Sequence, residues 1–217
     1  MLQTMSMNYR KSWGKVVRER AEALSALEGP FLDVGCSSGG YVSLLVSQGE
    51  TVAGMDIEEN EAWKHSPELF SVGSTEDLEY PDNAFETVYS FEVLEHLEQP
   101  GLALQEMRRV SRQNVLVSVP DCEVPEVFRQ SGLTYNHFSD PTHIQFFKEE
   151  ALRDLFQSAG LRVVYVKRIN RIFPERLYFE SRGYPAALVF LLSSLARIAP
   201  WAKKYHMTLM VLGIKES

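Results

Sequence analysis

The chain has 217 residues, 45% of them hydrophobic and 24% charged, which excludes wholesale disorder and suffices for one large domain with its own core. Its 22 basic and 29 acidic side chains give a net charge of −7, which argues against a general nucleic-acid binder. The charge is uneven: residues 30–169 hold ten basic and 23 acidic groups, whereas residues 170–217 hold seven basic and three acidic ones.

In chain order, residues 13–27 are expected to form an amphipathic helix with Val16, Val17, Ala21, Leu24 and Leu27 on one side, ended by Gly29-Pro30. Phe31 to Val34 is a short strand, Gly35 to Gly40 a Gly/Ser turn, and Tyr41 to Ser47 a helix. Thr51 to Met55 is a second strand ending at Asp56, residues 57–66 a polar helix, and Leu69 to Val72 a third strand. Phe85 to Phe91 is the fourth strand, Gly101 to Val110 a helix, and Val115 to Val119 the fifth strand, stopped by Pro120. The aromatic, proline-containing stretch 121–147 is expected to be a lid-like insertion. Helix 148–159 carries Leu152, Leu155, Phe156 and Ala159 at helical spacing and stops at Gly160. Leu161 to Ile169 and Thr208 to Ile214 complete seven strands, with a helical insertion over 170–207. This alternation predicts one α/β domain with a doubly wound, mostly parallel seven-stranded sheet, Rossmann-like, whose last strand is antiparallel.

Glycines directly after the first strand let the backbone turn tightly and approach a ligand. Asp56, ending the second strand, is placed to accept bonds from a ribose diol. A dinucleotide fingerprint would read Gly35-x-Ser37-x-x-Gly40, without its middle glycine. Asp33, just before the turn, would repel a pyrophosphate but suits a cationic ligand. A plain strand-to-helix turn is the structural alternative.

The wider register resembles the class I S-adenosylmethionine (SAM)-dependent methyltransferases over about residues 28–169. The matching blocks are Leu32-Asp33-Val34-Gly35-Cys36-Ser37-Ser38-Gly39, Asp56, Gly73-Ser74-Thr75-Glu76-Asp77-Leu78 and Pro81 to Val88. Glu92-Val93-Leu94-Glu95-His96-Leu97, Ser118-Val119-Pro120 and His143-x-x-Phe146-Phe147 follow. The resemblance implies that Asp33 and the backbone of Gly35, Cys36, Ser37 and Gly39 hold the methionine part of SAM, with Glu92 lining that side. It implies Asp56 on the ribose, Met55 or Ile57 on the adenine, and the Ser74, Thr75 and Glu76 block near the adenine amino group. Ser37 stands where the family has glycine, and Ser74 where it often has an acid.

Methyl transfer needs a base only when the acceptor starts protonated. The candidates are His96, which relatives carry in this Glu-His pair, and His137 and His143 in the lid-like insertion; Asp121 is a further acid within reach. His137-x5-His143, with Asp140 between, fits no helical face, so no metal is expected. Cys36 is read as a packing residue and Cys122 as exposed. Tyr9 and Trp13 are candidates for closing over the cofactor or for packing on the sheet edge.

The run Tyr184 to Pro200 is apolar, too short to span a bilayer, and flanked by Arg171, Arg176, Arg182, Arg197, Lys203 and Lys204. It suits a core or dimer-forming helix, or one docking peripherally on a membrane or a lipid-linked acceptor. The N-terminus to Trp13 has no apolar run and the two cysteines form no CxxC pair, so a cytoplasmic setting without a signal peptide is expected. The expected function is methyl transfer from SAM to a small-molecule or lipid- or sugar-linked acceptor, at oxygen, with no nucleic-acid partner. The alternatives are an NAD-type oxidoreductase and a non-catalytic SAM-binding protein.

Overall fold

The computed structural model describes residues 16–124, 126, 136–172, 176, 179–180, 182–198 and 205–216. Tyr9, Trp13 and Trp201 lie outside the described residues. The elements are α1 (Arg18–Leu24), β1 (Phe31–Val34), α2 (Gly40–Ser47), β2 (Val52–Asp56), β3 (Phe70–Val72), β4 (Phe85–Phe91), α3 (Pro100–Val110), β5 (Ser111–Pro120), α4 (Glu149–Ser158), β6 (Leu161–Ile172), α5 (Ala186–Ile198) and β7 (Tyr205–Lys215). The strands form one seven-stranded sheet in the order β3-β2-β1-β4-β5-β7-β6. Pairing is parallel from β3 to β5, and β7 runs antiparallel to both of its neighbours.

Central parallel strands are covered on both faces, so they read as continuous apolar runs while their side chains alternate between two cores. In β5, Val115, Val117 and Val119 join one core and Leu116 the other. In β7, Leu209 and Val211 oppose Met210 and Leu212 in the same way. The first core is closed by Leu104, Met107 and Val110 of α3 and Leu152 and Phe156 of α4. The second is closed by Leu24 of α1, Val42 and Leu45 of α2, and Trp63. Strand order reverses between β1 and β4, and a doubly wound sheet opens its binding crevice there, beyond the strands' carboxyl ends.

Three expectations shift. The polar segment 57–66 forms only a 3₁₀ turn over Glu61–His65, followed by another over Pro67–Leu69; the turn buries Trp63 alone, and its few apolar positions make no longer helical face. β5 starts at Ser111, inside a polar stretch that reads as loop, because Asn114 Nδ2 donates to the buried Thr87 Oγ1 at 3.2 Å and pays for its own burial. α1 is described only from Arg18 to Leu24, shorter than the expected 13–27.

Candidate functional site

The turn after β1 is built for a tight approach. Gly35 has φ +80°, and a Cβ there would lie 2.3 Å from Val93 Cγ2. Gly39 has φ +76°, and a Cβ there would lie 2.5 Å from the Phe70 ring. Gly35 N and Cys36 N both donate to Met55 O, at 2.8 and 3.0 Å, and Gly39 N donates to Cys36 O at 2.8 Å. Ser37 adopts φ +47°, a left-handed conformation that glycine takes at less cost, which is why glycine would be the easier residue at this position.

Asp56 ties the turn to β2. Its Oδ2 accepts from Ser37 N at 2.7 Å and its Oδ1 from Ile57 N at 2.7 Å. Each carboxylate oxygen keeps acceptor capacity beyond these bonds. Asp56 O also accepts from Gly73 N at 2.9 Å, which brings the Ser74–Glu76 loop alongside. In that loop Thr75 is buried and Glu76 N donates to Ser74 Oγ at 3.2 Å.

Of the two residues expected at the adenine, one is withdrawn into the core. Met55 is 2% exposed and packs in the first core, so it cannot lie on an adenine. Ile57, 72% exposed, is the apolar residue at the crevice. Cys36 turns its side chain into the second core, and burial and the carboxylates of Asp33 and Asp56 push its thiol pKa up. Its main chain serves the turn itself.

Asp33 is the exception in an otherwise apolar β1. It is buried, and burial pushes its carboxyl up to about 8, with the adjacent Tyr89 hydroxyl opposing and the Asp56 carboxylate adding to the rise. A buried acid of this kind has its charged form stabilised when a cation comes alongside.

β4 ends in a turn that carries the rest of the site. Glu92 sits at φ +58° and its N–H donates to Ser118 O at 2.8 Å. Strained backbone of this kind is retained where surrounding contacts hold it. Glu92 Oε1 forms an ion pair with Arg20 of α1 and accepts from Ser118 Oγ at 3.3 Å. Arg20 is buried and lies over the Phe91 ring, 5.1 Å from its centroid, and its Nε has no protein acceptor among the described residues. Arg20 is not among the site residues expected from the sequence. Its signal was a cation on the apolar side of an amphipathic helix, one turn before Leu24.

A 3₁₀ turn over Leu94–His96 follows. Ile144 N and Gln145 N both donate to Glu95 O, at 2.9 and 3.0 Å, and His96 Nδ1 lies 3.0 Å from Thr142 O. These bonds dock the end of the 121–147 segment onto the turn and bring the three candidate histidines together. The His96 and His143 rings are 4.7 Å apart and the His137 and His143 rings 6.5 Å. Burial, then the His143 charge, lowers His137 to about 4, so it is neutral at pH 7 and a weak base. Burial, then His96, lowers His143 as well. Asp121 does not face the crevice as a free acid. It is buried and paired with Arg168 Nε at 2.9 Å. Cys122 is buried rather than exposed, with its N–H on Phe147 O at 2.9 Å.

The residues around the turn fit a zwitterionic, cationic ligand: Asp33 and Glu92 offer carboxylates, and the buried Arg20 Nε is a donor awaiting an acceptor.

Solved structures share the fold. A SAM-dependent methyltransferase from Archaeoglobus fulgidus superposes with a TM-score of 0.68 at 16% identity, over 95% of this chain and 98% of that one. A SAM-dependent methyltransferase from Aquifex aeolicus gives 0.60 at 17%, over 95% and 93%. The Burkholderia thailandensis 1,6-didemethyltoxoflavin-N1-methyltransferase, solved with bound 1,6-didemethyltoxoflavin and S-adenosylhomocysteine, gives 0.62 at 16%, over 96% and 82%. Identities this low speak for the fold alone. A comparison with curated proteins finds no match. A family model described as a methyltransferase domain matches residues 7–166, and with the glycine turn, Asp56 and the Glu92–His96 turn all at the carboxyl edge of this sheet, the chain belongs to the methyltransferase-domain family.

Proposed function

We propose that the chain transfers a methyl group from SAM to the oxygen of a small-molecule or lipid- or sugar-linked acceptor. One observation carries the reading: Glu92, paired with Arg20, and Glu95 and His96 all follow the end of β4, and His143 is docked there against His96. Groups suited to the cofactor's amino-acid end and groups suited to an acceptor therefore share one short turn. When bound, SAM supplies an electrophilic methyl carbon. The chain's own task is positioning and electrostatics. Asp33 and Glu92 attract the ammonium, Arg20 the carboxylate, and Asp56 the ribose hydroxyls, while Ile57 covers the base. On the acceptor side, His96 and His143 hold the acceptor hydroxyl and take up its proton.

An NAD-type oxidoreductase fits less well, because Asp33 sits where a pyrophosphate would approach. Asp56→Ala should weaken S-adenosylhomocysteine binding by about 1.5–3 kcal/mol, the scale of hydrogen bonds to a charged group. Calorimetry checks this, and unchanged affinity would displace the ribose from Asp56.

Binding should also depend on pH. In the free protein Asp33 holds its proton up to about pH 8, whereas an ammonium partner favours the carboxylate. Binding then releases a proton, so affinity rises with pH, by about tenfold per unit between roughly pH 6 and 7.5, and levels off above 8. Asp33→Asn should flatten the profile. A flat wild-type profile would remove Asp33 from the contact.

Helix α5 bears on the acceptor class. Val189 and Ser193 are buried, but Phe190 is 74%, Leu191 54% and Leu195 53% exposed. No helix among the described residues is long and apolar enough to cross a membrane. An apolar face of this kind beside basic residues favours peripheral docking on an anionic membrane, where a lipid-linked acceptor would be met. Wild type should float with anionic liposomes and a Phe190→Glu/Leu191→Glu variant should not. Absence of wild-type flotation would leave a soluble small molecule as the acceptor.

A further inference from the structure

Glu95 is 1% exposed, and neither carboxylate oxygen has a hydrogen-bond partner among the described residues. An unpaired buried acid is costly, and native structures keep such groups for a ligand, a proton or an ion. Burial, then the Glu92 carboxylate, pushes its pKa well above the usual carboxylate range. One ligand atom from each of Glu95, His96 and His143 lies within 4.8 Å of the other two. Metal–ligand distances near 2.1 Å put ligand atoms about 3–3.5 Å apart, so a small closure of the rings on the carboxylate completes a site.

The histidines are prepared for it. A carbonyl can only accept, so His96 Nδ1 carries the proton shared with Thr142 O, which leaves Nε2 with its lone pair. Fixing one ring nitrogen on a main-chain carbonyl is the usual outer arrangement of a metal-binding histidine. Hydrogen bonding to the His137 main chain holds the His143 ring, whose Nε2 lies 4.0 Å from Asp140 Oδ2. Asp140 is itself oriented by Thr142, whose N–H and Oγ1 donate to Oδ1 at 2.9 and 2.6 Å. The bonds from Ile144 N and Gln145 N to Glu95 O fix the spacing between the two segments. This ligand set differs from the His137–Asp140–His143 grouping that the sequence argues against.

We propose that Glu95, His96 and His143 bind one divalent transition-metal ion at the end of β4. Two imidazoles and a carboxylate suit Zn²⁺, Fe²⁺ or Co²⁺ better than Mg²⁺ or Ca²⁺, which favour all-oxygen sites. Three protein ligands leave a position for water or an acceptor oxygen. The binding of the ion stands without the methyl-transfer reading. Its use rests on that reading and replaces one step of it: with the ion bound, His96 and His143 would serve as its ligands instead of taking up the proton, and the ion would lower the pKa of the acceptor hydroxyl so that its proton is lost to water.

The test uses the full chain, stripped with chelator and dialysed, titrated with Co²⁺ by visible absorption and with Zn²⁺ by calorimetry. The expected result is one equivalent per chain, with a Co²⁺ spectrum of mixed nitrogen and oxygen ligation. Glu95→Gln and His143→Ala should each weaken binding at least about tenfold, with circular dichroism unchanged. Glu95→Gln keeps the side-chain shape, so it carries the test should His143→Ala fail to fold. No wild-type binding, or wild-type affinity in both variants, overturns the proposal. S-adenosylhomocysteine is titrated into the same samples. Its binding without metal binding sinks the metal site alone, and metal binding without it sinks the methyl-transfer reading alone.

Discussion

Gly35→Ala is expected to destabilise the chain by about 3 kcal/mol and to weaken S-adenosylhomocysteine binding at least about tenfold. Two costs combine. The backbone at φ +80° is strained for any residue with a Cβ, and the new methyl would lie 2.3 Å from Val93 Cγ2. The first cost is on the order of 1–2 kcal/mol and the overlap about 1–3 kcal/mol. Relief by movement of the turn is opposed by the bonds from Gly35 N and Cys36 N to Met55 O. For a chain of this size the loss lowers the melting temperature by about 6–12 °C. Adding Val93→Ala should restore the overlap part and not the backbone part, so the two substitutions couple. Thermal denaturation of the single and double variants checks both numbers. An unchanged melting temperature in Gly35→Ala would mean the turn is not held as described.

Arg20→Ala is expected to have the second large effect. It leaves Glu92 beside the crevice without its cation and removes a buried guanidinium lying over Phe91. Breaking a buried pair costs about 3–5 kcal/mol. Glu92 keeps 36% of its side chain exposed, and solvent screening reduces the loss to about 2–3 kcal/mol. Arg20→Lys keeps the charge but not the fork geometry, so it should recover stability better than cofactor affinity. That split separates a ligand contact from a purely structural bridge. Arg20→Ala/Glu92→Gln should be more stable than Arg20→Ala alone, because no uncompensated charge remains.

Much of the fold was legible because it rests on local signals. β1 and the core of β5 are largely apolar runs bounded by Gly, Pro or Asn, β4 carries Phe85, Val88, Tyr89 and Phe91, and α3 and α4 carry apolar residues at helical spacing. The glycine turn and Asp56 could be read because both sit at the ends of such runs. The pairings across the site could not. Arg20 and Glu92 are 72 positions apart and Thr142 and His96 46 apart, and no local pattern joins them. Met55 and Ile57 flank Asp56 and look interchangeable in sequence. The end of β2 at Asp56 decides between them: Met55 is still within the strand and packs into the core, whereas Ile57 lies beyond it and is exposed. Ser111 to Asn114 reads as loop because its polar residues find partners far along the chain: Asn114 on Thr87 of β4, and Arg112 on the carbonyls of Asn83 and Ala84.

The uneven charge resolves along the same lines. Asp33, Asp56, Glu92 and Glu95 of the acidic body gather at the carboxyl edge of β1, β2 and β4, where a sulfonium, an ammonium and a divalent cation would be attracted. The basic C-terminal part carries α5 and its exposed apolar face, outside the family match to residues 7–166.

The central claim, a SAM site built on Asp33, Arg20, Asp56 and Glu92, is tested most directly by calorimetry of the wild-type chain with S-adenosylhomocysteine and, separately, with NAD. Saturable one-to-one binding of S-adenosylhomocysteine with no heat from NAD is the predicted result. Tight NAD binding without any for S-adenosylhomocysteine would contradict it.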